Sequence, residues 1–217
     1  MNKGLILAAL LAVSGSVFAS DLSSVGTLGL EATTDYSYAR SINTPYWAST
    51  HEALAGAQLN LGGLGSVAVE AGDTQRVTDF RLNYTTFAVG YANGFKVGSL
   101  GVVGSLGYSE LTGDKWFLDN GNNSSLPISI GSGLVEINEP VTKVLKLFAN
   151  YGRTYAWSGN INSFYHNGAV VRTSNANAAS VGTYVNLSKS LVAKVGYARG
   201  FGSVDTQGMV ASLSYKF

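Results

Sequence analysis

From residue 28 to the C-terminus, apolar and polar positions alternate with a period of two, the signature of strands with one greasy and one wet face. In residues 28–38, Leu28, Leu30, Ala32, Thr34, Tyr36 and Tyr38 share one face, and Gly29, Glu31, Thr33, Asp35 and Ser37 share the other. The chain ends in the same way, with Met209, Ala211, Leu213, Tyr215 and Phe217 on one face and mostly Ser or Lys between them. The alternation predicts strands over about 28–38, 50–61, 66–73, 78–92, 96–111, 126–137, 141–157, 177–187, 191–202 and 208–217. The fourth changes parity between Tyr84 and Phe87, which predicts a β-bulge at Thr85-Thr86.

Connections sort into two kinds. Tight turns are expected at 62–65, at 93–95 with its Asn93-Gly94 signal, at 138–140 and at 188–190. Long connections fall at 40–49, 112–125 and 158–176, the last holding a small hairpin around His166-Asn167-Gly168, with shorter ones at 73–77 and 203–207. Short turns at one end and generally longer loops at the other describe an up-and-down barrel with both termini on the short-turn side. The strand number is then even. Ten fits; eight would leave 112–176 as one loop, and twelve would need two more strands within 158–176.

Composition places this barrel in a membrane. Glycine is high at 27 residues, tyrosine is 12, proline only 3, and charged residues make up 12% of the chain, about half the usual share. Such a balance suits strands with half their faces against lipid. Residues 1–19, MNKGLILAALLAVSGSVFA, read as a secretory signal peptide: Lys3, an apolar stretch from Leu5 to Val13, then Val17-Phe18-Ala19 before cleavage. Without Lys3, acidic and basic residues balance, which argues against a nucleic-acid partner. The chain has no cysteine, hence no disulfide framework and no thiolate metal site. Aromatic residues near both predicted strand ends, such as Tyr38 and Tyr197 at one and Tyr91 and Phe217 at the other, match interfacial girdles.

With the apolar face toward lipid, the polar parity must face the lumen. That places Glu31, Asp35, Glu52, Glu70, Arg81, Lys146, Asn150 and Lys194 inside. Charges in a narrow barrel are paired or hydrated, so they either lock into a salt-bridge plug or line a narrow aqueous path. Inward glycines and serines, among them Gly29, Gly101, Gly107, Gly152 and Gly196, leave space and tilt this reading towards a path.

Catalytic chemistry is not assembled by the sequence, and the chain is read as a non-enzyme with no cofactor. The two histidines stand in His51-Glu52-Ala53 and His166-Asn167-Gly168, neither of which supplies a nucleophile–base set. Asp114, Asp119 and Asn120 sit in an oxygen-rich loop without a metal-binding pattern, so no metal site is expected. Gly98, Gly101, Gly104 and Gly107 recur every three residues, but inside a strand, where they serve curvature or close packing rather than phosphate binding.

The signal peptide, the terminal Tyr215-Lys216-Phe217 and the stretch Tyr184-Val185-Asn186-Leu187-Ser188-Lys189-Ser190 together resemble a Gram-negative outer-membrane β-barrel of the small porin-like kind. The resemblance implies an outer-membrane location among outer-membrane lipid and lipopolysaccharide. It also implies insertion by the barrel-assembly machinery, with Leu213, Tyr215 and Phe217 as the assembly signal. The chain is too short for the sixteen strands of general porins, so neither their trimer nor their open pore carries over. Two functions follow: a narrow passive path for ions or small polar solutes, or a closed structural or surface-interaction barrel, an adhesion or receptor protein working through its extracellular loops.

Overall fold

The computed structural model of the chain describes residues 28–41, 47–77, 81–113, 128–156, 164–166, 169–171, 176–201 and 206–217. The expected signal peptide, residues 1–19, and the oxygen-rich loop around Asp114 lie outside the described residues.

Ten strands close into one antiparallel barrel: β1 (Leu28–Ser41), β2 (Trp47–Asn60), β3 (Ser66–Val77), β4 (Arg81–Val97), β5 (Leu100–Gly113), β6 (Ile128–Pro140), β7 (Leu145–Ala156), β10 (Ala176–Asn186), β11 (Leu191–Phe201) and β12 (Thr206–Lys216). Two short strands, β8 (Phe164–His166) and β9 (Ala169–Val171), pair only with each other between β7 and β10, where a small hairpin was expected. Within the ring each strand pairs with the barrel strand that precedes and the one that follows it, β7 with β10 across the hairpin, and β1 pairs with β12 to close it. At the seam, the Phe217 N–H donates to the Leu30 carbonyl at 3.0 Å, and on the other edge of β12 the Lys216 N–H donates to the Ser190 carbonyl at 2.8 Å. Closure leaves no unpaired strand edge, the condition for a sheet to survive in hydrocarbon.

Side chains alternate across the wall as the pattern requires. Leu30, Tyr36, Val69, Phe87, Leu106, Val135, Tyr151, Val181, Val195 and Leu213 are exposed on the outside. Along β12, Met209 to Phe217 spans eight residue steps, about 20 Å at the usual strand rise and barrel tilt, close to the height of an outer-membrane apolar band. A belt of this size exposed to water would be untenable, so the barrel sits in a membrane.

Three local expectations are corrected. β4 pairs with β3 without interruption from Val77↔Arg81 to Ser66↔Ala92, so there is no bulge at Thr85-Thr86. The outward parity of β4 therefore runs unbroken through Thr85, Phe87, Val89 and Tyr91, and Arg81 falls on it; the Arg81 side chain itself lies outside the described residues. The turn after β4 is at Gly98-Ser99, where Gly98 takes a positive φ of 64°, and not at Asn93-Gly94. Gly94 stays in the strand because its neighbour is close: a Cβ there would stand 2.7 Å from the Val102 carbonyl oxygen. Residues 138–140 likewise belong to β6, and the turn follows at Val141–Val144. There the Thr142 hydroxyl accepts from the Val144 and Leu145 N–H groups at 3.1 and 2.9 Å, the arrangement Ser188 makes with Ser190 and Leu191 at 3.2 and 3.0 Å.

Candidate functional site

Register brings residues far apart in the chain into one cross-strand row on the lumenal face, which climbs the wall because barrel strands tilt. Lys146 faces Tyr184, Tyr184 faces Lys194, Lys194 faces Ser212, Ser212 faces Asp35, Asp35 faces Glu52 and Glu52 faces Thr74. This tier runs through seven adjoining strands, from β7 round to β3. Glu31 and Glu70 are each paired with Gly56, and Glu31 also pairs with Lys216 at the seam. Asn150 lies opposite Glu136 and Ser180.

One wall of the lumen, formed by β1–β3, is acidic. Glu52 accepts from the Thr74 hydroxyl at 2.8 Å, and Thr74 shares a 2.7 Å hydrogen bond with Thr86. Asp35 is hydrogen-bonded by Ser212, and its charge interacts with those of Glu52, Lys194 and Glu70. The opposite wall, β6–β11, carries an aromatic wedge. The rings of Phe148 and Tyr184 lie 4.9 Å apart at an interplanar angle of 47°. The Lys194 ammonium sits 4.6 Å from the Phe148 centroid and 5.3 Å from that of Tyr184, while Lys146 stands 5.4 Å from Tyr184. The Tyr184 hydroxyl donates to Glu136 at 2.7 Å, and the Ser180 hydroxyl donates to Asn150 at 2.6 Å. Cation–π contacts in a desolvated site are worth about 2 kcal/mol each, enough to offset part of the cost of burying Lys194.

The wedge occupies the space the inward glycines provide. Phe148 faces Gly182, which faces Gly196. A Cβ on Gly182 would lie 2.9 Å from the Phe148 ring and one on Gly196 would lie 3.0 Å from it. Gly101 makes room for Asn138, whose amide oxygen would be 2.6 Å from an added Cβ, and Gly107 for the Ser132 hydroxyl at 2.8 Å. The expectation that such glycines leave an open passage is therefore corrected at Gly101, Gly107 and Gly196: the vacated volume is filled from the neighbouring strands. Phe148, Tyr184, Lys194 and Glu52 are each 4% exposed and Glu136 5%, so water does not surround them.

Three members of this cluster, Glu136, Phe148 and Tyr184, are absent from the lumenal set read from the sequence. Their signal was present: Phe148 lies between Lys146 and Asn150 on the polar parity of its strand, a place where an open pore has no use for a large ring. His51 faces outward, its Nε2 3.0 Å from the Thr34 hydroxyl. The side chains of Leu213, Tyr215 and Phe217 also face outward, with the rings of Tyr215 and Phe217 edge to face at 4.9 Å. Among the described residues no group of three or more His, Cys, Asp or Glu side chains is placed to hold a metal ion.

No family model matches the chain, and no curated protein matches its sequence. Its fold is nonetheless shared with solved structures. The translocator domain of the autotransporter NalP from Neisseria meningitidis superposes with a TM-score of 0.52 at 14% identity, over 96% of this chain and 93% of that one. The β domain of the Bordetella autotransporter Brka superposes with a TM-score of 0.55 at 11% identity, over 89% of this chain and all of that one, 100%. The closed ten-stranded wall, its outward apolar belt and this likeness define the class: the chain is a small outer-membrane β-barrel. Its place is the cell outer membrane.

Proposed function

We propose that this barrel is closed at mid-height and is a structural or surface-interaction protein that works from its extracellular side rather than a passive channel. The observation that carries this reading is the filling of the lumen: Phe148 and Tyr184 pack against Lys194, and the Glu136 carboxylate is tied to Tyr184. Ions crossing this level would have to displace aromatic rings packed over a glycine pair. The connections opposite the tight turns, with the β8–β9 hairpin between β7 and β10, are the segments offered to a partner outside the cell. The reading is non-enzymatic, supported by the outward position of His51, away from the lumenal acids.

The channel reading keeps one supporting observation. Glu31 and Glu70 are only half-buried on the acidic wall, so the lumen near them is less tightly filled than at the wedge. Solute-driven swelling of liposomes loaded with folded barrel separates the two. The closed barrel predicts swelling in arabinose no faster than empty liposomes, and no loss of fold when residues 158–175 are exchanged for a short Gly/Ser connection. Rapid swelling in wild-type protein would favour the channel.

A further inference from the structure

The outer surface of β1, β12 and β11 ends in a paired-arginine rim. Arg40 faces Gln207 across the β1–β12 pair, and Gln207 faces Arg199 across β12–β11. Two strand spacings separate the arginine backbones, about 10 Å. The Gln207 amide, oriented as its hydrogen-bond network requires, is held from both sides: its nitrogen donates to the Tyr197 hydroxyl at 2.9 Å, and its oxygen accepts from Arg40 Nε at 3.2 Å and Nη2 at 3.1 Å. The Arg199 guanidinium rests over the Phe201 ring, 5.5 Å from its centroid. Both guanidinium groups are exposed on the outward parity, at the strand ends opposite the tight turns.

Charge on this side has one sign. The outward positions of β1, β10, β11 and β12 include no acidic residue, whereas the outward acids Asp73, Glu110 and Glu139 belong to β3, β5 and β6. Directly below the arginines the surface turns apolar, with Tyr38, Met209 and Tyr197 in the next row and Ala211 as a low point between Tyr36 and Val195 in the row after. A ligand that satisfies both parts has an anionic head and a hydrocarbon body. Guanidinium forks match phosphate oxygens in geometry as well as charge.

We infer that the Arg40–Gln207–Arg199 rim is a docking site for the phosphorylated head of an outer-leaflet glycolipid, whose acyl chains lie along the Met209–Ala211 column. The site is independent of whether the lumen conducts. Gln207 acts as a positioning residue, holding the Arg40 fork outward.

Native mass spectrometry of the folded barrel in uncharged detergent tests this, with bisphosphorylated hexa-acylated lipid A as probe. Wild-type protein is expected to retain lipid A, and to retain neither its dephosphorylated form nor inorganic phosphate at the same concentration. Arg40→Gln with Arg199→Gln should weaken retention at least about tenfold, as expected when two charge-assisted contacts are lost. Arg40→Lys with Arg199→Lys should keep part of it, and provides the reading if the Gln variant does not fold by heat-modifiable migration. Lys143→Gln with Lys189→Gln, at the opposite end, should leave it unchanged. Undiminished retention in the Arg→Gln variant, equal retention of dephosphorylated lipid A, or equal retention of free phosphate would overturn the site.

Discussion

The two walls of the lumen solve the same problem in different ways. On β1–β3, acids are kept inside by small hydroxyl partners: Thr74 on Glu52 and Ser212 on Asp35. On β6–β11, a lysine is kept inside by ring faces, and an acid by a tyrosine hydroxyl. Small partners bury the acids within the wall itself, Thr74 and Thr86 being 1% and 2% exposed, whereas the rings take up the space over inward glycines. The difference teaches that the polar parity of a barrel strand is not a measure of an open interior. Closure depends on the size of the side chains there and on where glycines let them lie.

Breaking the aromatic wall should cost most. Lys194→Ala removes a buried cation that interacts with Glu136 and Asp35 and empties the space beside Phe148. It is expected to lower the free energy of folding into bilayers by about 3–5 kcal/mol, the usual cost of leaving buried charge without its counterpart. Urea-dependent gel mobility of the folded band measures it. A change below about 1 kcal/mol would mean the lumen is wet enough to screen the acids.

A control on the outside should come next. Val195 neighbours Lys194 on the same strand but faces lipid. Val195→Arg is expected to cost about 2–4 kcal/mol near the bilayer midplane, falling towards zero if the position is interfacial. Folding yields in bilayers of two thicknesses check the depth.

Tyr184→Phe keeps the ring and removes only the hydroxyl given to Glu136, so a loss of about 1.5–3 kcal/mol is expected, with the lumen still closed. The matching change on the acidic wall, Thr74→Val, should cost less, about 1–2 kcal/mol, because an aliphatic hydroxyl is a weaker donor to a carboxylate than a phenol. If Thr74→Val proved the more damaging of the two, the acidic wall and not the wedge would be the structural centre of the lumen.

Much of this was legible in the sequence. Period-two alternation fixes which face each strand presents, and Glu31, Asp35, Glu52, Glu70, Lys146, Asn150 and Lys194 all lie on the lumenal parity. The ten strands and the tight turns at 62–65 and 188–190 follow from the same pattern and from turn residues. What alternation does not contain is the contact between strands distant in the chain. Asn93-Gly94 reads as a turn until Val102 is known to lie against Gly94. The inward glycines read as empty space until Phe148 is known to lie over Gly182 and Gly196. The Val141–Val144 turn has a local precedent, since Thr142-Lys143 repeats Ser188-Lys189, but Pro140 beside it points to a turn that starts three residues too early.

Planar-bilayer recording tests the central claim most directly. Wild-type barrel, inserted and verified as folded, is expected to give no steady openings, and the Phe148→Ala with Tyr184→Ala variant is expected to give them, because it removes both rings of the lumenal wedge. Steady wild-type openings whose conductance or ion selectivity shifts with Glu70→Gln, Lys146→Gln or Lys194→Gln would contradict the closed barrel and establish a lumenal path.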